Sequence, residues 1–206
     1  MFDNTVQGNL SQSNGAAGVG MFTPTPGTAS HNNLVVGNSL INNANPGVIF
    51  HSHTPGQNLN SNSVIGNFIS GNGAEPNPGP GENDGPTAPT GIEVYADVAA
   101  SPLNHIKIEG NTIKNETNDI WVGAPSWNNC PGGATLPCYS VEANTNNLLG
   151  KGVVGINETG NSSAALVAGT GNYWGCNKGP GGAAKCSTAA GNVTTSPFLT
   201  SRVPAP

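Results

Sequence analysis

His51, Glu93, Tyr95 and Asp97 are an imidazole, a phenol and two carboxyls, groups that give and take protons near neutral pH. They sit in two short apolar segments that align with two others. The four read Val19-Gly20-Met21-Phe22-Thr23-Pro24, Val48-Ile49-Phe50-His51-Ser52-His53, Ile92-Glu93-Val94-Tyr95-Ala96-Asp97 and Ile120-Trp121-Val122-Gly123-Ala124-Pro125. In a strand, successive side chains point to opposite faces. The first, third and fifth columns are apolar or small and point inward. The even columns then share the outer face: Gly20, Ile49, Glu93 and Trp121; Phe22, His51, Tyr95 and Gly123; Pro24, His53, Asp97 and Pro125. Adjacent strands are ~4.8 Å apart, so His51 is expected beside Tyr95, His53 beside Asp97, and Glu93 beside Trp121.

Rings stack on sugar faces, and carboxylates and imidazoles bond hydroxyls, so this face suits polysaccharide. His51, Tyr95, Glu93 and Asp97 are the candidate catalytic groups. Trp121, His53, Phe22 and Ile49 are the candidate binding groups. Hydrolysis of a glycoside needs two carboxyls ~5–5.5 Å or ~6.5–9.5 Å apart. Glu93 and Asp97 are ~13 Å apart on an extended strand, which disfavours it. A lyase or epimerase needs a base, an acid and a cation for the sugar carboxylate. His51, Tyr95 and His53 offer the first two, but Lys107 and Lys114 belong to other strands. The same face also has a structural reading, with His51 on Tyr95 as ladder packing and Trp121 covering a neighbouring loop. His31 and His105 read as turn residues.

The elements that position these groups are written in a repeat. Gly8-Asn9, Gly37-Asn38, Gly66-Asn67 and Gly110-Asn111 recur at intervals of 29, 29 and 44 residues, each between short apolar segments. A fixed period of this length marks a solenoid, whose units bury their apolar faces only by stacking. Asn tolerates the left-handed conformation and can hydrogen-bond up and down a stack, and Gly before it eases the bend. The Gly-Val/Ile segments follow ten residues after Gly8 and Gly37 but 25 after Gly66. An insertion of about fifteen residues, between Glu75 and Thr90, therefore lies at one corner. Each coil should hold at least three short strands.

This pattern resembles the right-handed parallel β-helix repeats of the pectin-lyase-like superfamily, over roughly residues 5–175. The segment Gly171-Asn172-Tyr173-Trp174-Gly175-Cys176-Asn177-Lys178-Gly179-Pro180 is similar to one that ends many bacterial β-helix repeat proteins. The resemblance implies an all-β, single-stranded solenoid of about five to six coils. It also implies a sugar-binding groove on the outer face of the sheet that carries His51 and Glu93. Residues 1–175 would form the coils, without an N-terminal cap, and 176–206 a disulfide-pinned cap of the same domain. The Asp-rich and Arg-based motifs of the polygalacturonase-like enzymes and pectate lyases are absent.

Charged residues make up only 8% of the chain, with 30 Gly, 30 Asn and 17 Pro. A net charge of −5 with six Lys plus Arg leaves no basic patch for nucleic acid. No apolar run reaches membrane-spanning length. Cys130 and Cys138, and Cys176 and Cys186, form two close pairs without zinc spacing, and are expected to be local disulfides. Disulfides place the protein in an oxidising compartment: extracellular, cell-surface or periplasmic. Met1-Phe2-Asp3-Asn4 does not begin a signal peptide, and the repeat starts at once. A longer exported protein, or a partner over the first coil, is therefore expected. No cofactor is called for; calcium at Glu75 with Glu82-Asn83-Asp84 is the one metal reading, against a merely solvated acidic run.

Overall fold

The structure is a computed structural model and describes residues 1–21, 25–52, 56–75, 87–96, 104–123, 140–150, 153–159 and 166–204. Among them there is no helix. The strands come in successive triplets. The first is β1 (Thr5–Gln7), β2 (Leu10–Gln12) and β3 (Val19–Met21), and the second is β4 (Leu34–Val36), β5 (Ser39–Ile41) and β6 (Val48–Ser52). The third is β7 (Ser63–Ile65), β8 (Phe68–Ser70) and β9 (Thr90–Ala96), and the fourth is β10 (Ile106–Glu109), β11 (Thr112–Lys114) and β12 (Asn118–Gly123). The fifth is β13 (Ser140–Asn144), β14 (Asn147–Leu148) and β15 (Val154–Glu158), followed by β16 (Leu166–Ala168), β17 (Thr188–Ala190) and β18 (Val193–Thr194).

Each strand of a triplet pairs in parallel with its counterpart in the next triplet, which makes three open sheets. Their orders are β1-β4-β7-β10-β13-β16-β18, β2-β5-β8-β11-β14 and β3-β6-β9-β12-β15-β17. This arrangement, all-β with three all-parallel sheets, is consistent with a parallel β-helix solenoid. Inward residues form apolar columns: Val35, Val64, Ile108 and Ala143 from the first sheet, Leu40, Ile69, Ile113 and Leu148 from the second, and Val48, Ile92, Ile120 and Ile156 from the third. All twelve are fully buried. One triplet alone could not bury them; the stack does.

The Gly-Asn corners stack as the spacing predicts. Asn9, Asn38, Asn67 and Asn111 form one ladder, and Asn146 and Asn172 continue it. At each step the backbone N–H and the side-chain Nδ2 donate to Oδ1 of the next asparagine, at 2.8–3.2 Å. From Asn38 to Asn172, Nδ2 also donates to a backbone carbonyl of the preceding coil. Gly37 has φ +61° at its corner, and the corresponding residue before Asn146 is Thr145 at φ +54°.

Two more ladders mark the other corners. Asn4, Asn33 and Asn62 form one; at the next coils its position passes to Ile106, Val141 and Val167, which are apolar. Asn14, Asn43 and Asn72 form the other, and it ends on Glu116, whose Oε1 accepts from Asn72 N and Nδ2. A second kind of corner glycine precedes β6. A Cβ on Gly47 would lie 2.8 Å from the Gly91 carbonyl oxygen and 2.7 Å from Ile69 Cγ2, so space rather than φ demands glycine there.

At the C-terminal end, Trp174 is fully buried against the last coils. Residues of the expected cap add β17 and β18 to two of the sheets. Cys176 and Cys186 are disulfide-bonded, with Cα atoms 5.2 Å apart. That closes a short loop, worth roughly 2–3 kcal/mol by chain entropy. The tail then returns over the fifth triplet, where Asn147 exchanges two hydrogen bonds with the backbone of Val203 at 2.9 Å each. Cys130 and Cys138 lie outside the described residues.

Candidate functional site

The third sheet carries the candidate face, in the register read from the sequence. Ile49 is opposite Glu93 and His51 opposite Tyr95 across β6 and β9; Trp121 is opposite Glu93 across β9 and β12. Inward Val48, Phe50, Ile92, Val94, Ile120 and Val122 force the alternate residues outward. The rings of His51 and Tyr95 meet edge to face, with centroids 5.0 Å apart at 72°. Trp121 leans along the stack to Tyr95, 5.4 Å between centroids. It fits because position 123 is glycine: a Cβ there would lie 2.3 Å from Trp121 Cη2.

One expectation changes. The outer face was expected to present its rings to solvent, but it is covered. Relative exposure is 5% for Ile49, 3% for His51, 0% for Glu93, 3% for Tyr95 and 8% for Trp121. Part of the cover is Glu75, which arrives from the stretch after β8 and lies half-buried over His51 and Glu93. Phe22, His53 and Asp97 lie outside the described residues, as do Glu82, Asn83 and Asp84 of the calcium reading.

Glu75 completes a cluster. His51 Nδ1 lies 3.5 Å from Glu75 Oε2 and 4.0 Å from Glu93 Oε1. One donor atom from each of the three residues lies within 4.8 Å of the other two. Burial pushes the Glu93 carboxyl well above its ordinary range, and the Glu75 charge and a proton shared with Glu75 push it the same way. Apart from such a shared proton, no donor among the described residues reaches either Glu93 oxygen. Beside the cluster is a depression of about 420 Å³, lined by Ala16, Ala17, Gly20, Asn45, Ile49, His51 and Glu75. Its walls are mostly small residues, with polar groups at His51, Glu75 and Asn45.

A second buried acidic group lies at an inner corner. Burial raises Glu116 to about 7, against the lowering effect of the hydrogen bonds from Asn72. Burial also raises Asp119 well above its ordinary range, opposed by the Gly150 N–H and reinforced by Glu116. Both residues break the repeat: Glu116 stands where Asn14, Asn43 and Asn72 stand, and Asp119 stands where Gly18, Gly47 and Gly91 stand. That departure was the available signal for them. Glu75 had no such signal, because it lies where the period is interrupted.

Among the described residues, the two lysines nearest in sequence are engaged elsewhere. Lys107 pairs with Glu109, and Lys114 lies over the Phe68 ring, 4.8 Å from its centroid. No protein-family model matches the chain, and no curated protein or solved structure matches it.

Proposed function

We propose that this chain is an exported, right-handed β-helix module, of the kind found in the pectin-lyase-like superfamily, that binds polysaccharide on the outer face of its third sheet. The observation that carries the reading is the depression beside His51. Its volume of about 420 Å³ falls within the range of small-ligand sites. Its wall pairs apolar Ala16, Ala17 and Ile49 with the hydrogen-bonding groups of Asn45, His51 and Glu75, which matches the amphipathic surface of a sugar ring. The rings of Tyr95 and Trp121 are buried and do not line the depression. The Cys176–Cys186 disulfide supports an oxidising compartment.

A structural spacer is the second reading, and the burial of Tyr95 and Trp121 within the stack favours it. A lyase or epimerase is the third: His51 and Tyr95 are adjacent as base and acid, but the described strands of this sheet carry no lysine or arginine. The test is a glycan array on the parent protein and on Ala16→Trp. Ala16 is exposed at the wall of the depression, so a bulky ring there fills it without touching the core. The expected result is binding to a defined glycan set that Ala16→Trp weakens at least about tenfold, with unfolding unchanged. A blank array, or an Ala16→Trp variant that binds like the parent, supports the spacer. Release of unsaturated sugar, seen as ultraviolet absorbance, would establish the third reading instead.

A further inference from the structure

We propose that His51, Glu75 and Glu93 form a binding site for one first-row divalent cation of the zinc type, with the cation's remaining coordination positions facing the depression. The donor set is one imidazole nitrogen, His51 Nδ1, and two carboxylate oxygens, Glu75 Oε2 and Glu93 Oε1. A tetrahedral site with metal–ligand bonds of about 2.0–2.1 Å has donors about 3.3–3.4 Å apart. The His51–Glu75 separation of 3.5 Å already matches. The His51–Glu93 separation of 4.0 Å needs a small contraction. Glu75 is the partly exposed member and lies outside the strands, so it can supply that movement, while His51 and Glu93 are fixed on β6 and β9.

The independent observation is Glu93. It is fully buried, it points out of the sheet toward His51 and Glu75, and no fixed donor among the described residues meets its oxygens. Burying a carboxyl is costly unless it is protonated, paired or bound to a metal. A second carboxyl beside it deepens that cost, and Lys107 and Lys114 are engaged elsewhere. A divalent cation between the two carboxyls and the imidazole removes it. The imidazole ligand selects against calcium and magnesium, which take all-oxygen shells, and for the zinc-like ions. Three protein ligands with the rest open is the pattern of reactive or ligand-binding zinc sites rather than closed structural ones. The open side is fixed by His51 and Glu75, which both line the depression.

This inference stands apart from polysaccharide binding, because it can be measured with no sugar present. The experiment is equilibrium dialysis of the chelator-treated protein against Zn²⁺ alone, with Co²⁺ absorption as a reporter of nitrogen and oxygen ligation. The parent should bind one equivalent and melt at a higher temperature with Zn²⁺ than without. Glu93→Gln, which keeps the volume, and Glu75→Gln, at the more exposed ligand, should each weaken binding at least about tenfold. Both should keep a cooperative melt without metal. His105→Ala, an exposed turn residue, should bind like the parent. The proposal is overturned if Zn²⁺ leaves the melting temperature unchanged, as a site holding only a proton would. It is equally overturned if the one-equivalent binding survives in Glu93→Gln and Glu75→Gln.

Discussion

Two parts of this molecule bury polar groups, and they do so in opposite ways. At the Gly-Asn corners, the Asn67 amide donates to Asn111 Oδ1 and to the carbonyls of Val35 and Ile65, and its oxygen accepts from Asn38 twice. Each amide in that stack offers what its neighbour lacks, so burial is compensated at every rung. On the outer face of the third sheet, an imidazole and two carboxyls are brought together under cover, and the deepest carboxyl meets no fixed donor. Chemically identical side chains form a stack that needs nothing further. Unlike side chains on one face form a site that calls for a proton, a cation or a ligand. Compensated burial marks the first region and uncompensated burial the second.

The rings beside the cluster sharpen that division. Trp121 packs on Tyr95 and is almost fully buried, so Trp121→Ala should cost about 3–5 kcal/mol in urea unfolding. A loss below about 1 kcal/mol would mean that the ring is a free binding surface after all. Within the ladder, Asn67→Ala should cost about 3 kcal/mol, because it strands backbone and side-chain partners in the interior. Asn9→Ala, at the exposed end of the same ladder, should cost less than about 1 kcal/mol. Equal costs at the two positions would show that the ladder does not draw its strength from burial.

The corner ladder was legible because Gly-Asn recurs at a constant distance from the next apolar segment. The Gly-Asn signal runs only as far as Asn111. Asn146 escaped because Thr145 takes the left-handed position that glycine holds elsewhere, so the dipeptide signal vanished while the geometry persisted. The columns of the third sheet were legible too, since alternation fixes which side of a strand each residue takes. Their burial was not. Part of that cover is Glu75, distant in sequence and placed where the repeat is interrupted. A strand's own pattern says which face a side chain points to, and nothing about what lies on that face.

A pH-dependent effect separates the inner acidic corner from both regions. Glu116 holds its proton up to about 7 in the folded protein, against an ordinary value of 4.5. The native state therefore binds that proton more tightly than the unfolded state does. Its contribution is intact below pH 4.5 and is lost as pH rises through about 7, by about 3 kcal/mol at most. Glu116→Gln keeps an acceptor for Asn72 and carries no charge, so its unfolding free energy should fall less between pH 4.5 and 7.5 than the parent's. Parallel pH profiles for the two proteins would remove Glu116 from the account.

If the corner ladder holds the stack together and the outer-face cluster does not, removing a group from each should have opposite effects on stability. Urea unfolding of Glu93→Gln beside Asn67→Ala, at pH 7 with a chelator present, tests it most directly. Glu93→Gln should be as stable as the parent or more so, because it removes a carboxyl that is costly to bury and that no fixed donor among the described residues meets, while Asn67→Ala should lose about 3 kcal/mol. A Glu93→Gln loss as large as that of Asn67→Ala would contradict it, and would make the cluster one more structural element of the stack.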